Sequence, residues 1–311
     1  METSNCSTKK VKSSRYKMQI LDGKRCSEFY RAQISEIVKK IIAGGNSAPR
    51  LSLFMIGDNK NSELYVKLKE KACRDAGIET RVHVLSENAS EERLKEMIYE
   101  ENADPETAGI LIQLPLPGKF NESRILEFMD PARDVECFLP VNIGGMFLRN
   151  DTKIVPCTPL GIMKLLKYYE IDVAAKEVCI IGRSNLVGKP LALLMLSANA
   201  TVTVCHSKTR NLAEITKRAD ILISAAGRAG MIDDKFIKPG AVVIDVGSSR
   251  VKKADGKYEA RGDCDFEKVS KVAGHMTPVP GGIGPMTITM LLYNTVYNYI
   301  LMKKLDITMN I

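Results

Sequence analysis

Alternation between strand-like and helical segments constrains the fold of this chain more than any other feature. Compact apolar runs alternate with stretches in which apolar residues recur every three or four positions, as on one face of a helix. The first series predicts strands at 50–56, 81–85 and 108–114 and helices at 59–76 and 91–101. The second begins after Pro156 and predicts strands at 176–181, 201–205, 221–225 and 241–246, with helices at 159–169, 187–198 and up to 218. Such repetition is typical of mostly parallel sheets between helical layers.

Two such series in 311 residues predict two α/β domains, the first of them a three-layer domain. The hydrophobic content of 45% is enough for a core in each. The second series looks complete without the apolar helix predicted at 284–304, so we expect this helix to pack back on the first domain. The predicted boundaries are a disordered tail at 1–16, a first domain at 17–155 plus 290–311, and a second domain at 156–289.

A glycine-containing loop at 179–190 joins a predicted strand to a predicted helix. Gly182 suits a tight turn, and Gly188 allows close packing of a helix whose amino terminus faces a phosphate. Ser184 stands where the dinucleotide fingerprint usually has its middle glycine, so an ordinary strand-to-helix turn is the alternative. The strand–loop–helix–strand context favours a dinucleotide site and therefore a C-terminal Rossmann-type domain.

The end of the next predicted strand distinguishes NADP from NAD as the cofactor. An NAD site usually carries an acid there, which binds the ribose hydroxyls. This segment has no acid, but it has a hydroxyl at Ser207 and bases at Lys208 and Arg210. Arg183, directly after Gly182, has a forked guanidinium that pairs well with a phosphate. We therefore expect NADP, whereas Lys208 and Arg210 alone also fit a solvated loop.

Tyr65 and Lys69 lie four residues apart on a predicted helix and share a face. We expect both to reach a cleft at the carboxyl end of the sheet. A lysine on apolar walls can give up its proton and act in proton transfer, although a surface pair is the alternative because this spacing is common. The core stripe of the same helix is predicted at Leu64, Leu68, Ala72 and Ala76.

Gln113 interrupts the apolar strand at 108–114 just before Leu114 and Pro115. A buried amide must find hydrogen-bond partners. At the end of this strand its side chain is placed to hold the amine or ammonium of Lys69. Hydrogen bonds to the backbone alone are the alternative.

A loop at 278–287 contains three glycines and three prolines and leads into the last predicted helix. Proline fixes the backbone, and glycine lets a ligand approach the main chain. The loop is therefore predicted to line a site, with a plain rigid connector as the alternative.

Composition excludes several classes of function. The net charge of +8 suits an anionic ligand such as a dinucleotide. Binding to nucleic acid is not expected, because the lysines and arginines are dispersed along the chain, tryptophan is absent and aromatic residues are 6%. The chain has eight cysteines without C-x-x-C spacing and three histidines, so neither a metal site nor a disulfide framework is expected. No apolar run reaches membrane-spanning length. Unpaired thiols favour a reducing compartment, and we expect the cytoplasm.

Six motifs occur in order along the chain. They are Ser62-x-x-Tyr65-x-x-x-Lys69, Gln113 to Pro117, Pro156-Cys157-Thr158-Pro159, Gly182-Arg183-Ser184 with Val187-Gly188, Cys205-His206-Ser207, and Pro278 to Thr287. With these motifs the chain resembles the bifunctional methylenetetrahydrofolate dehydrogenase/cyclohydrolase family from about residue 19 to 299.

The resemblance implies oxidation of methylenetetrahydrofolate to methenyltetrahydrofolate with NADP, then hydrolysis to 10-formyltetrahydrofolate, in one-carbon metabolism and purine biosynthesis. It implies two α/β domains around a cleft, with a folate-binding catalytic domain first and an NADP-binding domain second. It also implies a homodimer paired through the cofactor domains and a substrate that can carry a polyglutamate tail.

By this resemblance, Lys69 is the catalytic lysine, Gln113 is its partner, and Tyr65 stacks near the folate. The other implied substrate contacts are Ile112, Leu114, Glu136, Pro280 and Gly281. The implied cofactor contacts are Gly182, Arg183, Ser184, Ser207, Ser248 and Thr287.

One segment departs from the family pattern. After Arg133-Asp134-Val135 the family typically has Asp-Gly, whose aspartate anchors the pterin ring, but this chain has Glu136-Cys137. Glutamate keeps the acceptor and adds a methylene, while cysteine replaces a residue that tolerates any backbone angle. The departure leaves a dehydrogenase-only relative as one alternative. A basic nucleic-acid-binding module and a cofactor-binding regulator without turnover are the others, and the intact Lys69 argues against the regulator.

Overall fold

The computed structural model describes residues 18–148, 154–253 and 256–309, and the predicted tail at 1–16 lies outside them. Its strands are β1 (Gln19–Ile20), β2 (Arg50–Ile56), β3 (Glu79–Leu85), β4 (Thr107–Ile112), β5 (Glu177–Ile181), β6 (Thr201–Cys205), β7 (Ile221–Ser224), β8 (Val242–Asp245), β9 (Ser249–Lys252), β10 (Tyr258–Arg261) and β11 (His275–Met276). Its helices are α1 (Gly23–Ala43), α2 (Lys60–Asp75), α3 (Glu91–Ala103), α4 (Glu122–Leu126), α5 (Pro140–Leu148), α6 (Cys157–Tyr168), α7 (Gly188–Ser197), α8 (Leu212–Thr216), α9 (Phe266–Val269) and α10 (Ile283–Met302).

The first sheet has three parallel strands in the order β3-β2-β4. Successive side chains of a strand point to opposite faces. On β2, Leu51 and Leu53 join the core packed under helices α1, α2 and α10, while Phe54 and Ile56 join the core packed under helix α3. The sheet therefore lies between two helical layers, which confirms the predicted three-layer architecture.

The second sheet has six parallel strands in the order β1-β11-β8-β7-β5-β6. Strands β6 and β7 lie on opposite sides of β5, so the winding direction of the chain reverses at β5. In open sheets of this kind, ligands bind beyond the carboxyl ends of the strands at such a reversal. The Rossmann-type fold of the second half is thus confirmed.

Helix α10 joins the two halves. It packs against α1, α2 and β4, as predicted for a helix that returns to the first domain, and also against α6. Asn298 on this helix donates hydrogen bonds to the carbonyls of Ala108 and Ala132, both at 2.6 Å. Strand β1 pairs with β11 in the second sheet, although the predicted boundary assigns residues 17–155 to the first domain. The domain boundaries stay a prediction.

Helix α1 has no counterpart in the prediction. Its aspartate cap, Asp22, accepts a hydrogen bond from the backbone N–H of Arg25 at 3.0 Å. Its buried residues include Cys26, Tyr30 and Ile34, a spacing of four residues that does indicate a helix. The segment was therefore detectable from its cap and its periodicity.

The predicted core stripe of helix α2 is half wrong. Ala72 and Ala76 are buried, but Leu64 and Leu68 are 58% and 44% exposed. The buried face instead follows Ser62, Val66, Lys69 and Cys73, because these residues face strand β2 and helix α10. Lys69 is thus on the inner side of the helix.

The cysteines of the described residues belong to the hydrophobic interior. The seven cysteines in the described residues are buried free thiols, as expected for small core residues. Cys179 Sγ and Cys205 Sγ lie 3.8 Å apart on neighbouring strands and are not bonded covalently.

Among the described helices, none has the length and hydropathy needed to span a membrane.

A buried carboxylate ties the first sheet to helix α3. The Glu101 side chain is 2% exposed and accepts hydrogen bonds from Thr107 Oγ1 at 2.7 Å, Arg81 at 2.8 Å, His83 Nε2 at 2.9 Å and the Ser52 hydroxyl. Burial raises the pKa of Glu101, but the hydrogen bonds from His83, Ser52, Thr107 and Arg81 outweigh it and hold the pKa below its ordinary value.

We expect Glu101→Gln to lower the free energy of unfolding by about 2 kcal/mol at neutral pH, because a neutral amide leaves Arg81 and His83 short of an acceptor. The folded-state pKa lies below the unfolded one, so the contribution of Glu101 is complete above about pH 4.3 and is lost as the pH falls further. The acid-side loss of stability should therefore be shallower in the variant. Denaturant unfolding from pH 7 to pH 3 measures both effects, and equal stability of the two proteins at pH 7 would contradict them.

Candidate functional site

A cavity of about 240 Å³ lies between the two halves of the chain. Its walls come from helix α2, the segment after β4, the turn at 136–138, the start of helix α6, the loop before helix α7, and helix α10. The residues that line it are Lys69, Gln113, Leu114, Glu136, Phe138, Pro156, Cys157, Thr158, Leu186, Val187 and Thr287. A larger hollow of about 690 Å³ beside helix α1 contains none of the predicted site residues. The smaller cavity is therefore the candidate site.

Lys69 and Gln113 meet at the floor of this cavity. Lys69 Nζ donates a hydrogen bond to Gln113 Oε1 at 3.1 Å. The amide nitrogen of Gln113 donates to the carbonyl of Leu114 at 2.8 Å, which directs the amide oxygen towards the lysine. The contact predicted between the two side chains is present. Their catalytic roles stay a prediction.

A carboxylate also lies beside Lys69, so the surroundings of the amine are not purely apolar. Glu136 Oε1 lies 3.6 Å from Lys69 Nζ, and the two side chains are 14% and 10% exposed. Burial raises the pKa of Glu136, and the nearby Lys69 opposes this effect. The site therefore combines an amine, an amide and a carboxylate within one small volume.

The turn that carries Glu136 is built on the buried Asp134. This carboxylate accepts hydrogen bonds from the backbone N–H groups of Phe138 at 3.0 Å and Leu139 at 2.9 Å. Burial raises the pKa of Asp134, and the hydrogen bonds from Leu139 and Phe138 oppose it. Cys137 has φ of 58°, the left-handed region that favours glycine. The backbone thus keeps the conformation that a glycine would adopt, with a buried cysteine in its place.

Of the other five predicted substrate contacts, one lines the cavity and four do not. Leu114 lines it, but Ile112 is 1% exposed and belongs to the core on the α3 side, because it alternates with the outward-facing Gln113. Tyr65 is 48% exposed on helix α2 and does not line the cavity. Pro280 and Gly281 lie in the turn before helix α10, where the Gly281 carbonyl accepts a hydrogen bond from the backbone N–H of Lys24 at 3.0 Å. Neither of them lines the cavity.

The predicted dinucleotide loop has the close packing that its glycines suggest. Gly182 has φ of 129°, and a Cβ there would collide with the carbonyl of Ala225. A Cβ at Gly188 would collide with the carbonyl of Gly182. Ser184 Oγ accepts a hydrogen bond from the backbone N–H of Val187 at 3.2 Å, which shapes the loop just before helix α7. The amino terminus of α7 is left facing the carboxyl edge of the second sheet, where a pyrophosphate binds in such folds.

The remaining cofactor candidates lie at the same edge. The backbone N–H of Gly182 donates to the Cys205 carbonyl at 2.9 Å, which brings the exposed Arg183 beside the end of β6 and the exposed Ser207. Ser248 is exposed in the segment between β8 and β9. Thr287 lies in the cavity itself, where its hydroxyl is 2.9 Å from that of Thr158. Of the candidate cofactor residues, Thr287 therefore lies in the same cavity as Lys69 and Gln113.

Two buried aspartates shape the neighbouring loops of the second sheet, and sequence reasoning does not identify them. Asp263 accepts hydrogen bonds from the Ser224 hydroxyl and from three successive backbone N–H groups at 226–228. Asp245, at the end of β8, accepts from the backbone N–H groups of residues 247, 263 and 264. The sequence also predicts no individual role for Thr158 or Cys157. The motif from Pro156 to Pro159 is the signal that could have identified them.

This arrangement can bind a dinucleotide on the second sheet and present its reactive end to a small molecule held beside an amine, an amide and a carboxylate. In comparisons with known proteins, residues 21–136 match the family described as the catalytic domain of tetrahydrofolate dehydrogenase/cyclohydrolase. Residues 156–303 match the family described as its NAD(P)-binding domain.

Comparisons with individual proteins and crystal structures point to the same family. The bifunctional protein FolD of Halalkalibacterium halodurans is 48% identical over 277 residues, which covers 89% of this chain and 97% of the relative. The crystal structure of FolD from Campylobacter jejuni superposes with a TM-score of 0.87 at 44% identity and covers 91% of this chain and 99% of its own. FolD from Trypanosoma brucei, solved with NADP cofactor and inhibitor, has a TM-score of 0.87 at 35% identity and covers 93% of this chain and 99% of its own.

Proposed function

Because the chain belongs to the tetrahydrofolate dehydrogenase/cyclohydrolase family, we propose that it oxidises methylenetetrahydrofolate to methenyltetrahydrofolate with NADP and hydrolyses the product to 10-formyltetrahydrofolate. The observation that carries the proposal is the cavity in which Lys69 Nζ contacts Gln113 Oε1 and lies next to Glu136, with Thr287 and the dinucleotide loop on its other walls. One cleft therefore holds the groups for both steps.

The first step transfers a hydride from the bridging methylene carbon of the folate. NADP, when bound, supplies the acceptor, and the lone pairs of the flanking nitrogens stabilise the cation that is left on the carbon. The protein has to orient the donor and exclude water from the transfer. The glycines at 182 and 188 let the loop before helix α7 pack closely against neighbouring backbone, and Leu186, Val187 and Thr287 bring the cofactor side of the cleft to the cavity.

The second step adds water to the methenyl carbon. The water oxygen bonds to the cationic carbon and loses one proton. When one carbon–nitrogen bond then breaks, the hydroxyl loses its second proton and becomes the formyl carbonyl; one of the two protons leaves to solvent and the released nitrogen takes up the other. We assign to Lys69 the transfer of this proton, because its side chain lies in the cavity on the inner side of helix α2. The amide oxygen of Gln113 orients its amine.

Parallel incubations with methylenetetrahydrofolate and either NADP or NAD test this proposal. We expect the methenyl product to form faster with NADP and then to decay to the formyl product faster than in a protein-free blank. Methenyl product that accumulates and decays only at the blank rate would identify a dehydrogenase without cyclohydrolase activity. Absence of turnover with both cofactors would contradict the proposal as a whole.

We propose that the protein acts in the cytoplasm, on folates that can carry polyglutamate tails, and supplies formyl groups for purine biosynthesis. Buried free thiols are compatible with a reducing compartment. The net charge of +8 is compatible with a polyanionic tail.

We further propose a homodimer formed through the second sheet. Strand β6 is at the edge of this sheet and pairs with β5 alone among the described strands. Val204 on β6 is 39% exposed, and Leu196 on the adjacent helix α7 is 62% exposed. An open edge with apolar side chains favours pairing with a second strand.

The dimer proposal predicts that Val204→Lys shifts the protein towards a single-chain mass, because a charge at a buried strand edge opposes pairing. Light scattering coupled to gel filtration measures the mass at matched concentration. A wild-type protein that already has the mass of one chain, or a variant that keeps the mass of two, would count against this interface.

A further inference from the structure

A single buried amide joins the two halves of the chain. Asn294 of helix α10 is 0% exposed, and its Nδ2 donates hydrogen bonds to the carbonyls of Val135 and Val155, both at 2.8 Å. Val135 is the last residue but one of the region that matches the catalytic domain, 21–136. Val155 directly precedes the region that matches the NAD(P)-binding domain, 156–303. One side chain therefore holds both ends of the segment that connects the two domains.

The two carbonyls belong to separate walls of the cavity. Glu136 directly follows the first carbonyl, Pro156 directly follows the second, and both residues line the cavity. The Cys157 thiol also donates to the Val135 carbonyl, with an Sγ to oxygen distance of 3.6 Å. Burial raises the pKa of Cys157, so the thiol keeps the proton that it donates. The separation of these two walls is thus fixed at the Val135 carbonyl.

Helix α10 extends the same connection to the cofactor side. Thr287 lies seven residues before Asn294, which is about two helical turns. Its side chain lines the cavity, and its hydroxyl is 2.9 Å from that of Thr158 at the start of helix α6. The helix therefore holds the start of α6 at two points and the turn after Val135 at a third.

The two proposed reaction steps depend differently on this connection. Hydride transfer needs a carbon atom of the folate and a carbon atom of the cofactor about 3–3.5 Å apart, so the two domains must be in register. Methenyl hydrolysis needs no cofactor. The groups assigned to it, Lys69 and Gln113, both lie in the region that matches the catalytic domain. A change in the separation of the domains should therefore impair the first step more than the second.

We propose that Asn294 is a positioning residue for hydride transfer, which holds the folate side and the cofactor side of the cleft in register. The inference rests on the proposed function, because it requires both molecules in this cleft. In the step concerned, the carbon–hydrogen bond of the methylene group breaks, and the hydrogen leaves with both electrons for the oxidised nicotinamide. A nitrogen lone pair then stabilises the methenyl cation, and no proton is transferred.

Replacement of Asn294 by leucine tests this role, because leucine keeps the branched shape of the side chain and has no N–H donor. At saturating substrates, kcat of the dehydrogenase should fall about tenfold, since a misplacement of about 1 Å can cost about 10²-fold. The kcat of methenyl hydrolysis without cofactor should stay within about twofold of the wild type. The primary deuterium isotope effect on the dehydrogenase kcat should rise, because hydride transfer becomes slower relative to product release. A mere loss of folded protein lowers both rates in proportion and leaves the isotope effect unchanged.

Asn298→Leu is the matched control. Asn298 lies one turn further along α10, is 7% exposed, and donates to the carbonyls of Ala108 and Ala132, both at 2.6 Å. Both acceptors lie within 21–136, so this variant loses the same kind of contact without releasing the connection between the domains. It should keep the wild-type ratio of the two rates and the wild-type isotope effect.

An unchanged ratio of the two rates in Asn294→Leu, or an equal fall of this ratio in Asn298→Leu, would overturn the positioning role while leaving the proposed function intact. Asn294→Ser retains one donor and serves if the leucine variant does not fold. The ratio in this variant should fall by less than tenfold, and an unchanged ratio there would count against the proposal in the same way. A wild type without dehydrogenase turnover would overturn the proposed function, and the positioning role with it.

Discussion

Replacement of Lys69 by methionine should reduce methenyl hydrolysis by about 10³-fold, within the range expected for a general acid–base group. Methionine has a similar length and fills the same buried space, but it can neither accept nor donate a proton. Its thioether also loses the contacts with Gln113 Oε1 and Glu136 Oε1. Binding of NADP should be unchanged, because Lys69 lies on helix α2 and the dinucleotide loop lies after β5.

The measurement follows the decay of methenyltetrahydrofolate in the absence of cofactor, with NADP affinity determined separately by titration. Lys67→Met is the matched control, since Lys67 lies on the same helix with a side chain that is 67% exposed and pairs with Glu63. The control should hydrolyse at the wild-type rate. Unchanged hydrolysis in Lys69→Met would refute the assignment of the catalytic amine.

Replacement of Arg183 by alanine should weaken NADP binding by about 10- to 100-fold and leave NAD binding nearly unchanged. A hydrogen bond to a charged group contributes about 1.5–3 kcal/mol, and the additional phosphate of NADP is the group that Arg183 is proposed to hold. The side chain is exposed at the carboxyl edge of the second sheet, beside the end of β6, where this chain has Ser207 and no acid. The preference between the two cofactors should therefore fall by the same factor.

Michaelis constants for NADP and NAD in the dehydrogenase reaction measure this preference. Arg218→Ala is the control, because Arg218 is 75% exposed, pairs with Glu177 at the start of β5, and therefore lies at the opposite edge of the sheet. A uniform loss of affinity for both cofactors in Arg183→Ala would indicate a general role in the loop. An unchanged preference would remove Arg183 from the phosphate site.

Local patterns were sufficient for seven of the eleven described strands and six of the ten described helices, whereas the short strands β1, β9, β10 and β11 were not predicted. Strand β2 occupies the predicted 50–56, and β6 the predicted 201–205, because a short buried strand is marked by a compact apolar run. Helix α10 begins within one residue of the predicted 284. The two sheets followed from the alternation of strands and helices, since parallel strands require a crossover between them.

Which face of a helix is buried was not readable from local spacing. Leu64 and Leu68 look like a core stripe, yet the buried face of α2 carries Lys69. Lysine at a buried position is tolerated only with partners, and these partners, Gln113 and Glu136, come from segments 44 and 67 residues away in the sequence. Long-range pairing of this kind leaves no periodic signal.

The candidate site was predicted best where a polar residue interrupts an apolar element. Gln113 at the end of a buried strand predicted its own contact with Lys69, and the structure contains that contact. Ile112 could not be separated from Leu114 in the same way, because both are apolar and two residues apart. They differ because β4 ends at the buried Ile112, whereas Leu114 lies beyond the strand and lines the cavity. The proximity of Glu136 to Lys69 depends on the turn organised by Asp134, which has no local sequence signature.

A crystal structure of the protein with NADP and a folate analogue that retains the bridging carbon gives the sharpest test. The account predicts Lys69 Nζ within hydrogen-bond reach, about 3 Å, of the position from which water attacks that carbon, with the pterin ring N–H groups on Glu136. A complex in which the folate binds elsewhere, or in which Lys69 points into bulk solvent away from the one-carbon unit, would contradict it.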